Sequence, residues 1–184
     1  MTQGRLIYTN DEIRGATYKV AFAIKRSGFK PDYALIIMAG GMRFGSMLLE
    51  RLHFFEIDVP MIFSIRVEDD FMMYTNEELK GRSVLIIDDM FDTGETIEEA
   101  RTQLEVNFHV KEQRTAVLIL REFEENTSIS PPEYFGFSLK SNEWLYGFGL
   151  DLSGKQRGNP NIYGISQEER RILNADGGNR GRAL

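Results

Sequence analysis

Two successive aspartates, Asp88 and Asp89, stand just before an Asp92-Thr93-Gly94 turn, and a second hydroxyl follows at Thr96. Adjacent carboxylates can hold sugar hydroxyls or a metal ion. Hydroxyls and a flexible glycine at a helix start can wrap a phosphate group, because unpaired backbone N–H groups and the positive dipole end point at it. A sugar phosphate suits the combination. A purely structural reading has the acids ending a strand and Asp92 or Thr93 capping a helix. That reading explains any one residue but not the string, since capping needs a single acid or hydroxyl. The G-x-x-x-x-G-K spacing of a Walker A loop is absent.

The elements that must position these groups are visible on either side. Val84-Leu85-Ile86-Ile87 is an unbroken apolar run, the pattern of a strand covered on both faces, and Asp88-Asp89 is expected to end it. From Thr96 the period becomes helical, with Ile97, Ala100 and Leu104 on one face. Earlier, Thr9 or Asn10 opens a helix that ends near Ser27-Gly28. Ala34–Met38 reads as a buried strand running into Ala39-Gly40-Gly41 and then a helical stretch from Phe44 to Leu52. The glycines permit either close approach of a ligand or a tight turn. Further strands are expected at Met61–Ile65, Thr115–Leu120 and Tyr134–Phe137, with a last short one over Asn161–Ser166. Alternating strands and helices predict an α/β fold with an open, mainly parallel sheet flanked by helices. Its ligand belongs at the carboxyl ends of the strands.

The string VLIIDDMFDTGETI resembles the phosphoribosyl-pyrophosphate (PRPP) signature of type I phosphoribosyltransferases: a hydrophobic strand, two acids, two further residues, then D-T-G-x-T. The resemblance implies that fold, with a small hood built from the terminal segments. It also implies that Asp88 and Asp89 bind the ribose hydroxyls and that Thr93, Gly94, Glu95 and Thr96 surround the 5′-phosphate. Asp92 aligns with the general base. Gly40 and Gly41 fall in the loop that contacts pyrophosphate.

A second stretch, EWLYGFGLDLSGKQR from Glu143 to Arg157, resembles the C-terminal part of the 6-oxopurine (hypoxanthine-guanine) branch of that family. By position, Trp144 would stack on the base, the Leu145 backbone would hydrogen-bond its edge, Asp151 would coordinate Mg²⁺, and Arg157 would bind pyrophosphate. The implied reaction moves the phosphoribosyl group from PRPP to hypoxanthine or guanine, giving a nucleoside 5′-monophosphate and pyrophosphate, a purine salvage step.

The chain departs from the family at four places. Ala39 stands where a Lys precedes the glycine pair, with Arg43 nearby as a substitute. Asp69-Asp70 replaces a Ser-Tyr pair in the segment from Arg66 to Lys80, which is expected either as a loop closing over the site or as an exposed hairpin. Glu95 replaces Lys in the phosphate loop, and Arg121 replaces the Lys that recognises the purine oxygen. These departures motivate two other readings. One keeps the reaction and changes the base, to xanthine, a modified or deaza-purine, or a pyrimidine. The other is a PRPP- or nucleotide-sensing regulator without turnover. Joint retention of Asp92, Trp144, Asp151 and Arg157 favours an enzyme.

Composition sets the outer bounds. The chain has 184 residues, 42% of them hydrophobic, which fits one domain over residues 1–173, with a core near 30–130. A polar tail from Asn174 to Leu184 is expected to fray. Without cysteine there are no disulfides and no thiolate chemistry. The polar N-terminus and the lack of a long apolar run predict a cytoplasmic protein without membrane association. A net charge of −6 argues against nucleic acid as partner. The family resemblance implies a homodimer or homotetramer. His53 and His109 have no matching partners and carry no assigned chemistry.

Overall fold

The computed structural model describes residues 4–67, 70–74, 78–122 and 129–178, with backbone alone at 65–67, 70–72, 74 and 174–178. Strand β1 (Arg5–Tyr8) leads into α1 (Asn10–Ser27), then β2 (Tyr33–Ile37), α2 (Gly41–Phe54), β3 (Met61–Val67) and β4 (Asp70–Tyr74). After these come β5 (Ser83–Phe91), α3 (Glu95–Val106), β6 (Glu112–Arg121), β7 (Tyr134–Leu139), β8 (Trp144–Tyr146), β9 (Ile162–Ile165) and α4 (Gln167–Gly178). The helix boundaries follow local chemistry. Thr9 closes a capping box with Glu12 at the start of α1, and Gly28 ends that helix in the left-handed conformation.

Six strands form one sheet in the order β4-β3-β2-β5-β6-β7. The five from β3 to β7 in that order are parallel, and only the edge strand β4 is antiparallel. The apolar runs serve both faces because successive side chains alternate. Ala34, Ile36, Leu85 and Ile87 face α1 and α2 through Ile13, Val20, Ile24, Phe44 and Leu48. Leu35, Ile37, Val84 and Ile86 face α3 through Ile97, Ala100 and Leu104. This is the α/β architecture and type I phosphoribosyltransferase fold that the strand pattern and the resemblance predict.

A smaller antiparallel sheet, β1-β9-β8, joins the two ends of the chain into the expected hood. Arg5 pairs with Gly164, and Trp144 with Ile165. The Asn10 N–H donates to Asn161 Oδ1 across 151 residues of sequence. Tyr8 stacks on Phe137, which fixes the hood against β7.

Two differences from the sequence reading bear on the site. Strand β5 does not end at Asp88 but continues through Asp89 to Phe91, because β6 pairs with it as far as Phe91↔Leu120. The segment after β3 turns back as a hairpin, with Val67 opposite Asp70 and Phe63 opposite Tyr74. Asp69 and the Asp70 side chain lie outside the described residues. Of the tail expected to fray from Asn174, the part up to Gly178 continues α4, and the remainder lies outside the described residues.

Candidate active site

Strand β5 delivers Asp88 and Asp89 to the carboxyl edge of the sheet. Asp88 is buried and accepts a hydrogen bond from the Asp89 N–H at 2.8 Å. Burial raises both carboxyls above the ordinary aspartate range, Asp88 well above it, and the neighbouring Asp89 charge pushes Asp88 further. Hydrogen bonding from the Asp88 side chain and the positive charge of Arg157 pull Asp89 part of the way back.

The β2–α2 turn closes against this pair. A Cβ at Gly40 would collide with the Asp89 carboxylate, and one at Gly41 would lie 2.9 Å from the Ile87 carbonyl oxygen. Both glycines are therefore needed for close approach of backbone to the acids. The peptide joining Met38 to Ala39 in the same turn is cis.

The hood covers the other side. Gly149, at φ 103°, brings its loop so near that a Cβ there would stand 2.5 Å from the Gly40 carbonyl oxygen. Arg157 donates to the Gly149 carbonyl oxygen at 2.6 Å and to Asp151 Oδ1 at 3.0 Å, while Asp151 Oδ2 accepts the Gly154 N–H. The Trp144 indole N–H donates to the Asp151 carbonyl oxygen at 2.9 Å. The Arg170 guanidinium, carried by α4, lies over the Trp144 ring, 3.3 Å from its centroid. Arg43 does not stand in for the missing lysine. Its guanidinium donates to the carbonyl oxygens of Arg157 and Asn159 and stacks on Phe148, so it ties α2 to the hood loop.

Between these elements lies a cavity of about 300 Å³. Gly40, Asp88, Asp89, Thr96, Trp144, Leu145, Asp151 and Arg157 all line it, eight of the residues selected from sequence. Met38, Ser64, Met90 and Leu150 line it too. Met90 and Leu150 sit inside the two motifs, whereas Met38 follows β2 and Ser64 lies on β3, where no motif marks them.

The other selected residues flank the cavity. Gly41 opens α2 behind the acids. Asp92 and the exposed Thr93 and Glu95 form the turn into α3, with Gly94 left-handed at φ 86° as its N-cap. As N-cap, Gly94 has no side chain to offer that helix, and the Glu95 N–H turns back to Thr93 Oγ1 at 3.4 Å. Arg121 lies buried at the end of β6, with Nε 3.1 Å from Asp92 Oδ1. The N–H there is not aligned for a hydrogen bond, so the contact is coulombic. The other two nitrogens of the guanidinium donate to the carbonyl oxygens of Ser141 and Glu143. Arg121 therefore ties the Asp92 turn to the segment that leads into Trp144.

A mainly parallel sheet with two carboxylates at its carboxyl edge, a helix start beside them and an antiparallel hood above is the architecture of a phosphoribosyltransferase-type α/β protein. The phosphoribosyl transferase domain family matches residues 7–152, and the chain belongs to that family. The hypoxanthine-guanine phosphoribosyltransferase of Streptococcus pneumoniae strain R6 is 25% identical over 181 residues, covering 90% of this chain and 94% of that protein. That of Lactococcus lactis is 34% identical over 84 residues, covering 46% of this chain and 44% of the relative. A solved structure of Trypanosoma cruzi hypoxanthine phosphoribosyltransferase shares the fold, with a TM-score of 0.83, 20% identity, and coverage of 95% of this chain and 98% of that one.

Proposed function

We propose that the chain transfers the 5-phosphoribosyl group of PRPP to a 6-oxopurine, giving a nucleoside 5′-monophosphate and pyrophosphate. The observation that carries this reading is one cavity lined at once by Asp88, Asp89, Thr96, Trp144, Asp151 and Arg157. That set spans the sugar, phosphate, base and diphosphate parts of the substrates.

In this reading Asp88 and Asp89 hold the ribose hydroxyls. The turn from Thr93 to Thr96 receives the 5′-phosphate on the N–H groups that open α3, while Glu95 points to solvent. The base lies against Trp144, an arrangement worth about 1–3 kcal/mol in stacking sites. Strand β8 is an edge strand, so the Leu145 backbone has one side not taken by a neighbouring strand. The Arg157 guanidinium meets the diphosphate near Gly40 and Gly41. As the C1–O bond to pyrophosphate breaks and C1 bonds to a purine ring nitrogen, the sugar gains positive charge that nearby carboxylates stabilise. The proton leaves the purine N7 for Asp92, whose carboxylate Arg121 holds in place. Two of the five Arg121 N–H groups go to the carbonyl oxygens of Ser141 and Glu143, and in this reading another meets the purine oxygen.

The donor set facing the cavity fits Mg²⁺, since Asp88, Asp89 and Asp151 offer oxygen alone. Mg²⁺ needs only one or two protein carboxylates where the substrate's own oxygens complete its shell. Asp151 would hold it, and when bound it would neutralise charge on the leaving pyrophosphate. Among the described residues no helix is long and apolar enough to cross a membrane. A cytoplasmic enzyme acting as a homo-oligomer on small molecules is the setting we propose.

Initial rates of pyrophosphate release with hypoxanthine, guanine, xanthine, adenine, uracil and orotate test the base assignment. Fastest release with hypoxanthine or guanine, falling at least 100-fold in Asp92→Asn, is the expected result. Release with another base alone would overturn the specificity. PRPP binding with no release for any base would replace the enzyme with a sensor.

A further inference from the structure

The cavity holds one polar group that the reading above leaves unused. Ser64, on β3, has no exposed surface, and its hydroxyl has no hydrogen-bond partner among the described residues. Such a group is uncommon, because buried hydroxyls are nearly always satisfied. Its backbone is already committed. The Ser64 carbonyl oxygen accepts the Met38 N–H at 3.0 Å, which fixes the residue against the β2–α2 turn. Ser64 is among the residues that line the cavity, together with Ile37, Met38, Ala39 and Gly40.

That stretch of wall is otherwise short of polar side chains. Ile37 and Met38 are apolar, Ala39 offers a methyl group, and Gly40 has no side chain. A ligand seated at the turn therefore meets backbone, the Asp89 carboxylate and the Ser64 hydroxyl. The carboxylate repels an anion. The hydroxyl can donate to one, and the low dielectric of a buried site strengthens such a bond.

We propose that Ser64 is a substrate-contacting residue whose hydroxyl donates to a diphosphate oxygen of the phosphoribosyl donor at the β2–α2 turn. This rests on the PRPP reading and deepens it. The chain carries no cation at position 39, and the neutral donor approaches the turn from the neighbouring strand instead. A hydrogen bond from a neutral donor to a charged acceptor is worth about tenfold or more in affinity.

Calorimetric titration of wild type and Ser64→Ala tests this, with PRPP, inorganic pyrophosphate and inosine 5′-monophosphate each added in the presence of Mg²⁺. Thermal melts of both ligand-free proteins accompany it. The expected result is that Ser64→Ala binds PRPP and pyrophosphate about tenfold more weakly. Inosine monophosphate, which lacks the diphosphate, should bind as before. The ligand-free variant should melt no lower than wild type, because an unpaired buried hydroxyl has been removed. Equal affinity of both proteins for PRPP and pyrophosphate would overturn the assignment, leave the PRPP reading intact and give the hydroxyl to a water. A lower melting temperature with all three ligands weakened alike would make Ser64 structural and overturn it as well. If wild type binds none of the three, the PRPP reading and this inference fall together.

Discussion

Asp88 and Asp89 are held where ionisation is costly, and this gives the molecule a pH signature. Their folded-state pKa values lie above the unfolded ones, so the folded protein keeps protons that the unfolded chain has released. The contribution of each group to stability is intact below the unfolded value of about 3.9 and is lost as pH rises toward the folded value. Asp88→Asn should therefore melt higher than wild type at neutral pH, and the gap should close as pH falls toward 4. A gap that stays constant with pH would show that the carboxyl is not strained by burial. The same variant should lose PRPP affinity, the cost of removing a ribose contact. Trp144→Ala should weaken nucleotide binding by about 10- to 100-fold, the equivalent of about 1–3 kcal/mol, in an equilibrium titration. These residues were legible because the motifs place carboxylates, hydroxyls and an aromatic at fixed spacings. Ser64, Met90 and Met38 were not, since ordinary wall residues become visible only when separate strands converge. Nor was the Arg121–Asp92 pair, which joins the ends of two strands.

At the scale of elements, the site depends on how closely three loops approach. Gly149 has φ 103° and sits against the Gly40 carbonyl oxygen, and Gly40 in turn sits against Asp89. Gly149→Ala would combine a strained backbone, about 1–3 kcal/mol, with a clash against backbone that cannot rotate away. A fall in Tm of roughly 2–4 °C for each kcal/mol is expected, together with reduced turnover as the hood lifts from the turn. An unchanged Tm would mean that the hood loop is free to move off Gly40. Most strands and the first three helices could be read from their periods, since buried parallel strands and amphipathic helices leave different patterns. The end of β5 could not. Acidic residues usually stop a strand, and here pairing with β6 carries it on through Asp88 and Asp89 to Phe91. Helix α4 also escaped notice, because Gln167–Gly178 is mostly polar; among the described residues Arg170 lies over Trp144 and the Gln167 amide donates to the Asn142 carbonyl oxygen.

At the scale of the whole molecule, the two sheets divide the labour. In the proposed reading the parallel sheet supplies, from strand and helix ends, the groups that hold sugar and phosphate, and the hood supplies the wall for the base, Asp151 and Arg157. Strand β1 could not be read from its four residues. It exists because β9 pairs with it, and no local pattern reports a partner so distant in sequence. The composition was informative in another way, since a net charge of −6 argues against a nucleic-acid partner without excluding a small anionic ligand. The central claim is that this arrangement completes a transfer rather than only binding its substrates. It is tested most directly by incubating the protein with PRPP, Mg²⁺ and hypoxanthine and separating the products by chromatography with mass detection. Inosine 5′-monophosphate and pyrophosphate in equal amounts, absent without protein and strongly reduced with Asp92→Asn, is the predicted result. PRPP and hypoxanthine recovered unchanged, by a protein that titration shows to bind PRPP, would contradict it.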